Sequence, residues 1–166
     1  MRHLIIIPLV LLAACSDDAP PASKRAAEAQ QLATGGYAVE AKVENMTATD
    51  KAPPASKAKP GDMIKLTGCV AADGTPDASL FVHPGDQCTA SQSYTRGAIL
   101  NIQYHCSRKG AGSVNYSVDG QFTADAFTAT VTEGTNFATP DDYKLVTKVT
   151  GKRSGTCPAP AATLKG

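Results

Sequence analysis

The sequence predicts an all-β domain: an antiparallel meander of about six strands curled into a barrel or half-barrel, with a small sandwich as the alternative. Three observations support this prediction. Apolar and polar residues alternate with a period of two from Tyr37 to about Gly151, turns containing Gly or Pro separate the alternating runs, and the aromatic content is only 5%. Such alternation is typical of strands with one buried and one solvent-facing side. A single apolar face has to be covered, which favours a curled sheet.

The first residues resemble a secretory signal peptide. Arg2 precedes an apolar run over residues 4–12, which is too short to span a bilayer as a permanent helix. The tetrapeptide Leu-Ala-Ala-Cys at residues 12–15 resembles the bacterial lipobox, whose cysteine is acylated and becomes the first residue of a lipoprotein. We therefore expect residues 1–14 to be removed as the signal peptide, and acyl chains on Cys15 to hold the protein to a membrane.

The residue after the lipobox bears on the location of the protein. In lipoprotein sorting an Asp directly after the lipidated cysteine favours the inner membrane, whereas this chain has Ser16 there and Asp17 one place later. We therefore expect a periplasm-facing protein on the outer membrane of a Gram-negative bacterium. The whole chain has 16 Lys and Arg against 15 Asp and Glu, and removal of Arg2 balances them. Such a chain has no net charge with which to attract nucleic acid.

Residues 15–34 are predicted to hold the lipidated cysteine, an extended Pro-containing tether and a short helix over Lys24–Ala33. Ser23 would cap this helix. The helix could cover an open side of the sheet. The β domain is expected at residues 35–158, and residues 159–166 form a C-terminal tail.

The strands are assigned from the alternation, in chain order. The linker 49–61 contains Pro53, Pro54 and Pro60, which exclude it from a central strand. Residues between Val70 and Gly97 are interpreted as irregular, and residues 108–112 as a hairpin connection. The register around Cys69 stays open, because Gly68 could mark a bulge. The predicted strands are residues 37–44, 64–70, 98–107, 113–122, 127–132 and 143–151.

Four cysteines follow Cys15, namely Cys69, Cys88, Cys106 and Cys157. An even number in an exported chain predicts two disulfides, for which three connectivities exist. We favour Cys69 with Cys88, which closes a Pro- and Gly-containing loop, and Cys106 with Cys157, which links a middle strand to the chain end. A zinc site is disfavoured, since no Cys-x-x-Cys pair occurs. No metal or other cofactor is expected.

Three side chains are functional candidates. His83 has Asp86 three residues later and could act as a base with an orienting acid, although a loop histidine beside a turn is the favoured interpretation. His105 falls on the polar side of its strand and is expected to face solvent. Arg153 is a candidate contact for an anionic group, with an exposed strand-end charge as the favoured alternative. No hydrolase, nucleotide-binding or metalloprotease motif occurs, so no enzyme activity is expected.

The order of several short motifs resembles a known family. The chain is similar, over about residues 35–158, to the bacterial family catalogued as domain of unknown function 3617, small exported proteins of Gram-negative bacteria that are often lipoproteins. The resemblance implies an all-β domain and the same disulfide pairing, and it brings no established activity. The motifs are Gly36-Tyr37-Ala38, Cys69-Val70, Cys88, Cys106, the run from Phe122 to Val131, and Gly151-Lys152-Arg153-Ser154-Gly155-Thr156-Cys157.

Three functions are compatible with this description. The first is a non-enzymatic envelope module that binds another envelope component, such as an envelope protein. The second is a carrier of a small apolar ligand, because a curled sheet can enclose a cavity, although Tyr104, Tyr116, Phe122 and Phe127 could instead fill the interior. The third is an inhibitor of a cell-wall-cleaving enzyme, in which a loop such as Gly74 to Gln87 would enter the cleft of the target.

Overall fold

The computed structural model describes residues 31–157, which fold into a single antiparallel sheet that curls into a half-barrel. The predicted all-β class and curled sheet are confirmed. All seven strands of the described residues belong to one sheet, so the sandwich alternative is wrong. The strands are β1 (Gly35–Ala48), β2 (Met63–Val70), β3 (Gln87–Arg96), β4 (Ile99–Arg108), β5 (Gly112–Phe122), β6 (Ala126–Phe137) and β7 (Tyr143–Gly155).

The strand order across the sheet is β2-β1-β7-β6-β5-β4-β3. From β3 to β7 each strand pairs with the next one along the chain, as expected for a meander. The first strand departs from this pattern, because β1 lies between β2 and β7 and pairs with both. The two edge strands of the sheet are therefore β2 and β3.

The strand β3 is the one that the sequence prediction missed, which is why seven strands are found instead of about six. Its residues are exposed on both faces along almost its whole length, so no apolar alternation marks it. A two-residue turn links it to β4, with positive φ angles of 59° at Gly97 and 65° at Ala98. Two successive positive φ angles define a type I′ hairpin turn.

The core lies on the inner, concave face of the sheet. Alternate residues of β1 and of β4 to β7 point inward and are buried, while their neighbours face outward. This is the period of two predicted from the sequence. Fully buried inward residues include Tyr37, Val39, Val43, Leu100, Ile102, Val114, Val118, Phe127 and Val149.

A segment between the two edge strands covers the open side of the half-barrel. We call residues 71–86 the plug segment. It contains a 3₁₀ turn over Ala78–Leu80, which begins where the Ser79 N–H donates to Asp77 Oδ1 at 2.8 Å. Leu80, Phe81 and Val82 are buried against the sheet. The edge strands β2 and β3 do not pair with each other. The plug segment covers the core between them, where a closed barrel would have such a pairing.

The N-terminal helix predicted over residues 24–33 lies mostly outside the described residues. Residues 31–33 are not helical, yet Leu32 is buried in the core, and the N–H of Ala33 donates to the carbonyl of Ala124 at 2.8 Å. Among residues 31–157, no helix is long and apolar enough to cross a membrane.

The disulfides join Cys69 to Cys157 and Cys88 to Cys106, with Cα separations of 5.6 and 4.0 Å. The favoured pairing of Cys69 with Cys88 and of Cys106 with Cys157 is wrong. Cys88 lies directly opposite Cys106 in the β3–β4 hairpin, which was not predicted because β3 was missed.

The other disulfide follows from the position of β1 between β2 and β7. Gly36 pairs with Cys69 on one side and with Gly155 on the other. A Cβ on Gly36 would meet the backbone of Thr156, so the glycine leaves room for the chain end to reach Cys69. The β1–β2 register is continuous from Gly35 to Lys42, which excludes the bulge considered at Gly68.

Candidate functional site

A cluster of polar side chains lies inside the apolar half-barrel, near one of its ends. We call its five members, Asp86, Arg108, Tyr116, Glu133 and Tyr143, the interior network. Four of them continue the inward parity of β4, β5, β6 and β7. The fifth ends the plug segment, after a turn closed by a hydrogen bond from the Asp86 N–H to the His83 carbonyl at 3.1 Å.

Arg108 is the centre of the interior network. Its Nε and Nη2 donate to the two carboxylate oxygens of Asp86, each at 2.7 Å. Nη2 is also 3.0 Å from Glu133 Oε1, and Nη1 donates to Tyr143 Oη at 2.7 Å. The side chain of Asp86 is fully buried and that of Glu133 is 8% exposed. Because buried charges are costly without partners, these contacts keep both carboxylates inside the fold.

The two tyrosines connect the charged groups. Tyr116 Oη donates to Asp86 Oδ2 at 2.6 Å and accepts from the backbone N–H of His83 at 3.2 Å. Tyr143 Oη donates to Glu133 Oε1 at 2.6 Å. The guanidinium carbon of Arg108 also lies 5.7 Å from the centre of the Phe137 ring, a cation–π distance. The network therefore joins four strands and the plug segment.

The electrostatic environment shifts the pKa of Asp86, Arg108, Tyr116 and Tyr143. Burial opposes ionisation of Asp86, but hydrogen bonds from Arg108 and Tyr116 outweigh it and hold the pKa of Asp86 below its ordinary value. The hydrogen bond to Asp86 raises the pKa of Arg108 above its already high ordinary value. Burial raises the pKa of Tyr116 and Tyr143, and the nearby Glu133 carboxylate adds to both shifts. At neutral pH the tyrosines are hydrogen-bond donors rather than phenolates.

A cavity of about 240 Å³ lies beside the interior network. Its polar lining consists of Ser56, His83, Tyr116, Glu133, Tyr143 and Thr147. The rest of the wall is apolar and comes from the β1–β2 linker, four strands and the plug segment. The volume is just below the range of ~300–1,000 Å³ usual for ligand pockets, so the cavity suits a small ligand. Its apolar lining residues are Ala41, Ala58, Ile64, Leu66, Phe81, Val82, Pro84, Val131 and Leu145.

The two histidine candidates are not members of the interior network. His83 is exposed and borders the cavity, while the nearby Asp86 carboxylate is bound to Arg108 and Tyr116. The acid considered as its orienting partner is thus engaged elsewhere. His105 is on the outer face of β4, where its Nδ1 lies 2.8 Å from Asn115 Oδ1.

Arg153 lies near the Cys69–Cys157 disulfide, as its position in the sequence suggested, but at the opposite end of the sheet from the cavity. Its Nε donates to the Thr34 carbonyl at 3.0 Å, and its Nη1 is 3.8 Å from Asp125 Oδ1. The side chain is 43% exposed. These partners use part of the guanidinium, and the role of Arg153 as an anion contact stays a prediction.

The other predicted sites fall into two groups. Cys15, the predicted lipidation site, lies outside the described residues. Cys69, Cys88, Cys106 and Cys157 are all in disulfides, so their thiolates do not serve as metal ligands in this state. Within residues 31–157, no three His, Cys, Asp or Glu side chains are grouped as a metal site.

The interior network itself was missed by sequence reasoning, although a signal was present. Extending the inward series of β4 beyond Cys106 leads to Arg108, which was assigned to a hairpin connection. Extending the series of β6 beyond Val131 leads to Glu133. Opposite charges on the inward parity of β4 and of β6 predict a buried ion pair, because each charge needs a partner inside the fold.

Comparison with protein families agrees with this architecture. Residues 29–157 match the family described as "Protein of unknown function (DUF3617)". The chain belongs to this family. The match covers all seven strands and all four cysteines of the two disulfides, so the architecture above describes a DUF3617 domain. No curated protein and no solved structure gives a significant match to the chain.

Proposed function

We propose that this DUF3617 protein is a lipid-anchored, non-enzymatic binding module of a Gram-negative cell envelope, and that its half-barrel binds a small, mainly apolar ligand. The observation that carries the proposal is the 240 Å³ cavity with apolar walls, where Tyr116, Glu133 and Tyr143 converge. A few placed polar groups in an apolar concavity are typical of ligand sites. The carboxylates, the guanidinium and the tyrosines of the interior network are hydrogen-bonded to one another. Such a network suits a binding role, because its groups are engaged with each other.

Native mass spectrometry of the protein purified from its own membranes tests ligand binding. We expect a mass above that of the acylated polypeptide, lost under denaturing conditions. In Ala41→Leu the larger side chain takes up part of the cavity, and the extra mass should disappear. Lys42→Leu, on the outer face one residue later, is the matched control and should retain it. Detection of only the acylated polypeptide in the wild type would refute the carrier role.

The anchor rests on Cys15 and can be tested separately. Labelled fatty acid should be incorporated into the wild type and not into Cys15→Ser. The assignment to the outer membrane is tested by Ser16→Asp, which should move the protein to the inner membrane. Separation of the two membranes in a density gradient measures this. Labelling of the Cys15→Ser variant would contradict the lipobox interpretation, and an unchanged distribution of Ser16→Asp would contradict the sorting argument.

An envelope protein is a second candidate partner, favoured by the edge strand β3. Within the described residues one side of its ten-residue backbone pairs with no other strand, and free edges accept added strands. Crosslinking on membranes followed by pull-down should then recover a partner through Tyr94, which is 48% exposed. Recovery of this chain alone would argue against a stable partner.

The inhibitor role has no comparable support. Leu80, Phe81 and Val82, in the middle of the loop considered for it, are buried in the core. Unchanged lysozyme activity at high protein concentration would dismiss this role.

A further inference from the structure

The charges around the cavity are unbalanced. Arg108 contributes one positive charge, whereas Asp86 and Glu133 contribute two formal negative charges. The guanidinium is oriented towards its own partners, because its three nitrogens donate to Asp86, Tyr116, Glu133 and Tyr143. The interior network therefore has a net formal negative charge, and Glu133 lines the cavity whereas Arg108 does not.

One of the four carboxylate oxygens of the interior network is unpaired within residues 31–157. Glu133 Oε1 accepts hydrogen bonds from both Arg108 and Tyr143. Glu133 Oε2 has no hydrogen-bond partner among residues 31–157, and no fully buried polar side-chain atom of these residues lacks one. Oε2 is therefore not sealed in the core. Since Glu133 lines the cavity and its side chain is only 8% exposed, the cavity is the space that Oε2 reaches.

The other walls suit a cation with an apolar body. Three aromatic residues, Phe81, Tyr116 and Tyr143, line the same cavity, and the faces of such rings attract ammonium groups. Thr147 adds a further polar residue to the lining. The remaining walls are aliphatic, so a polar ligand without an apolar part would leave them without contacts.

We propose that the ligand is a small apolar primary amine, whose ammonium group binds Glu133 Oε2 and whose hydrocarbon part fills the cavity. This inference rests on the proposed binding function and specifies the chemistry of its ligand. Glu133 is then the residue that determines specificity, while Asp86, Arg108, Tyr116 and Tyr143 position its carboxylate.

Three probes of one size test the inference: phenethylamine, 2-phenylethanol and phenylacetate. Titration calorimetry at pH 7 should show phenethylamine binding about tenfold to a hundredfold more tightly than 2-phenylethanol, as expected for a charge-assisted hydrogen bond. Phenylacetate should bind most weakly. In Glu133→Gln the advantage of the amine should fall to about threefold or less, whereas Glu44→Gln, the same change on the outer face, should keep it.

The outcomes separate this inference from the proposed function. If no probe and no native ligand binds, the binding function itself fails. If the alcohol or the carboxylate binds as tightly as the amine, the cavity binds ligands and the amine inference is wrong. If Glu133→Gln does not fold, a crystal structure of the wild type with phenethylamine decides. A nitrogen about 2.7–3.2 Å from Oε2 supports the inference, and any other position of the nitrogen overturns it.

Discussion

The two ends of the half-barrel are built on the same strands but use different chemistry. At the first end, which we call the aromatic end, the ring centre of Phe127 lies 6.0 Å from that of Tyr37 and 5.2 Å from that of Phe81. Gly151 lies directly opposite Phe127 and leaves space for its ring. At the second, the network end, Arg108 binds two carboxylates and two tyrosines beside a cavity. Aromatic side chains pack together at one end, and polar contacts border a cavity at the other.

This difference shows how one alternating pattern can produce both a core and a site. Apolar residues on the inward parity pack together without direction, so they fill the space available to them. Charged residues on the same parity need hydrogen-bond partners at fixed distances and angles, so their arrangement is directional. Arg108 and Glu133 occupy two inward positions of this kind, and their network borders the cavity.

The largest expected loss of stability is on removal of a disulfide. Each end of the half-barrel has one. In the chain-entropy model the Cys69–Cys157 bond at the aromatic end contributes about 4.6 kcal/mol, and the Cys88–Cys106 bond at the network end about 3.2 kcal/mol. The sequence separations are 88 and 18 residues. Urea unfolding of the two double Cys→Ala variants should show this order. Non-reducing peptide mapping checks the connectivity, and a Cys106–Cys157 peptide would contradict it.

Removal of the central cation should destabilise the network end strongly. Arg108→Ala leaves Asp86 and Glu133 buried without their partner, which costs about 3–5 kcal/mol. The control is Arg153→Ala at the aromatic end, where the ion pair is exposed and contributes ~0–1 kcal/mol. Chemical denaturation at pH 7 gives both free energies of unfolding. Equal losses for the two variants would show that the interior network is not a stabilising centre.

The next expected effect is a pH dependence of the free energy of unfolding, which arises from Asp86 at the network end. Because the pKa of Asp86 is lowered in the folded state, its contribution is fully present above the unfolded value of about 3.9 and is lost as pH falls through the folded value. Asp86→Asn should cost roughly 1.5–3 kcal/mol at pH 7. The difference from the wild type should shrink below about pH 4. A difference that stays constant from pH 7 to pH 2.5 would contradict this assignment.

The smallest effect concerns the packing at the aromatic end. A Cβ on Gly151 would collide with the ring of Phe127, so Gly151→Ala should cost about 1–3 kcal/mol by overpacking. A Cβ on Gly134, near the network end, meets no atom within 4 Å, and Gly134→Ala is the matched control with little or no loss. Thermal unfolding should separate the two variants. If they unfold alike, the aromatic end is less tightly packed than described.

The sequence predicted those parts of the fold that depend on local patterns. Six strands follow from alternation, because a strand with one buried face shows it directly. The edge strand β3 could not be found in this way, since no inner surface selects apolar residues along Gln87–Arg96. The disulfide pairing depended on that strand. The two-residue turn at Gly97 and Ala98 alone would set Cys88 opposite Ser107, and the register shift between Ala90 and Gln92 brings it opposite Cys106. The pairing therefore required both the hairpin and its irregularity.

The candidate site was less predictable, for a related reason. Arg108 stands next to Lys109 and Gly110 in the sequence, and such a run normally indicates an exposed turn. Its ionic partners are a carboxylate 22 residues away in the plug segment and another 25 residues away in β6. Contacts of this kind come from the tertiary fold, and a local pattern contains only one partner of each.

The position of β1 has a consequence for the order of assembly. Chains are synthesised from the N-terminus, and the hairpins from β3 to β7 can form as soon as each strand is complete. The strand β1 pairs with β7, about 95 to 119 residues later, so its second ladder has to wait for the end of the chain. Contacts so distant in sequence slow folding. Until β7 is complete, one side of β1 lacks its partner. During that time β1 is an open edge to which another strand could pair wrongly, although β1 is an internal strand of the final sheet.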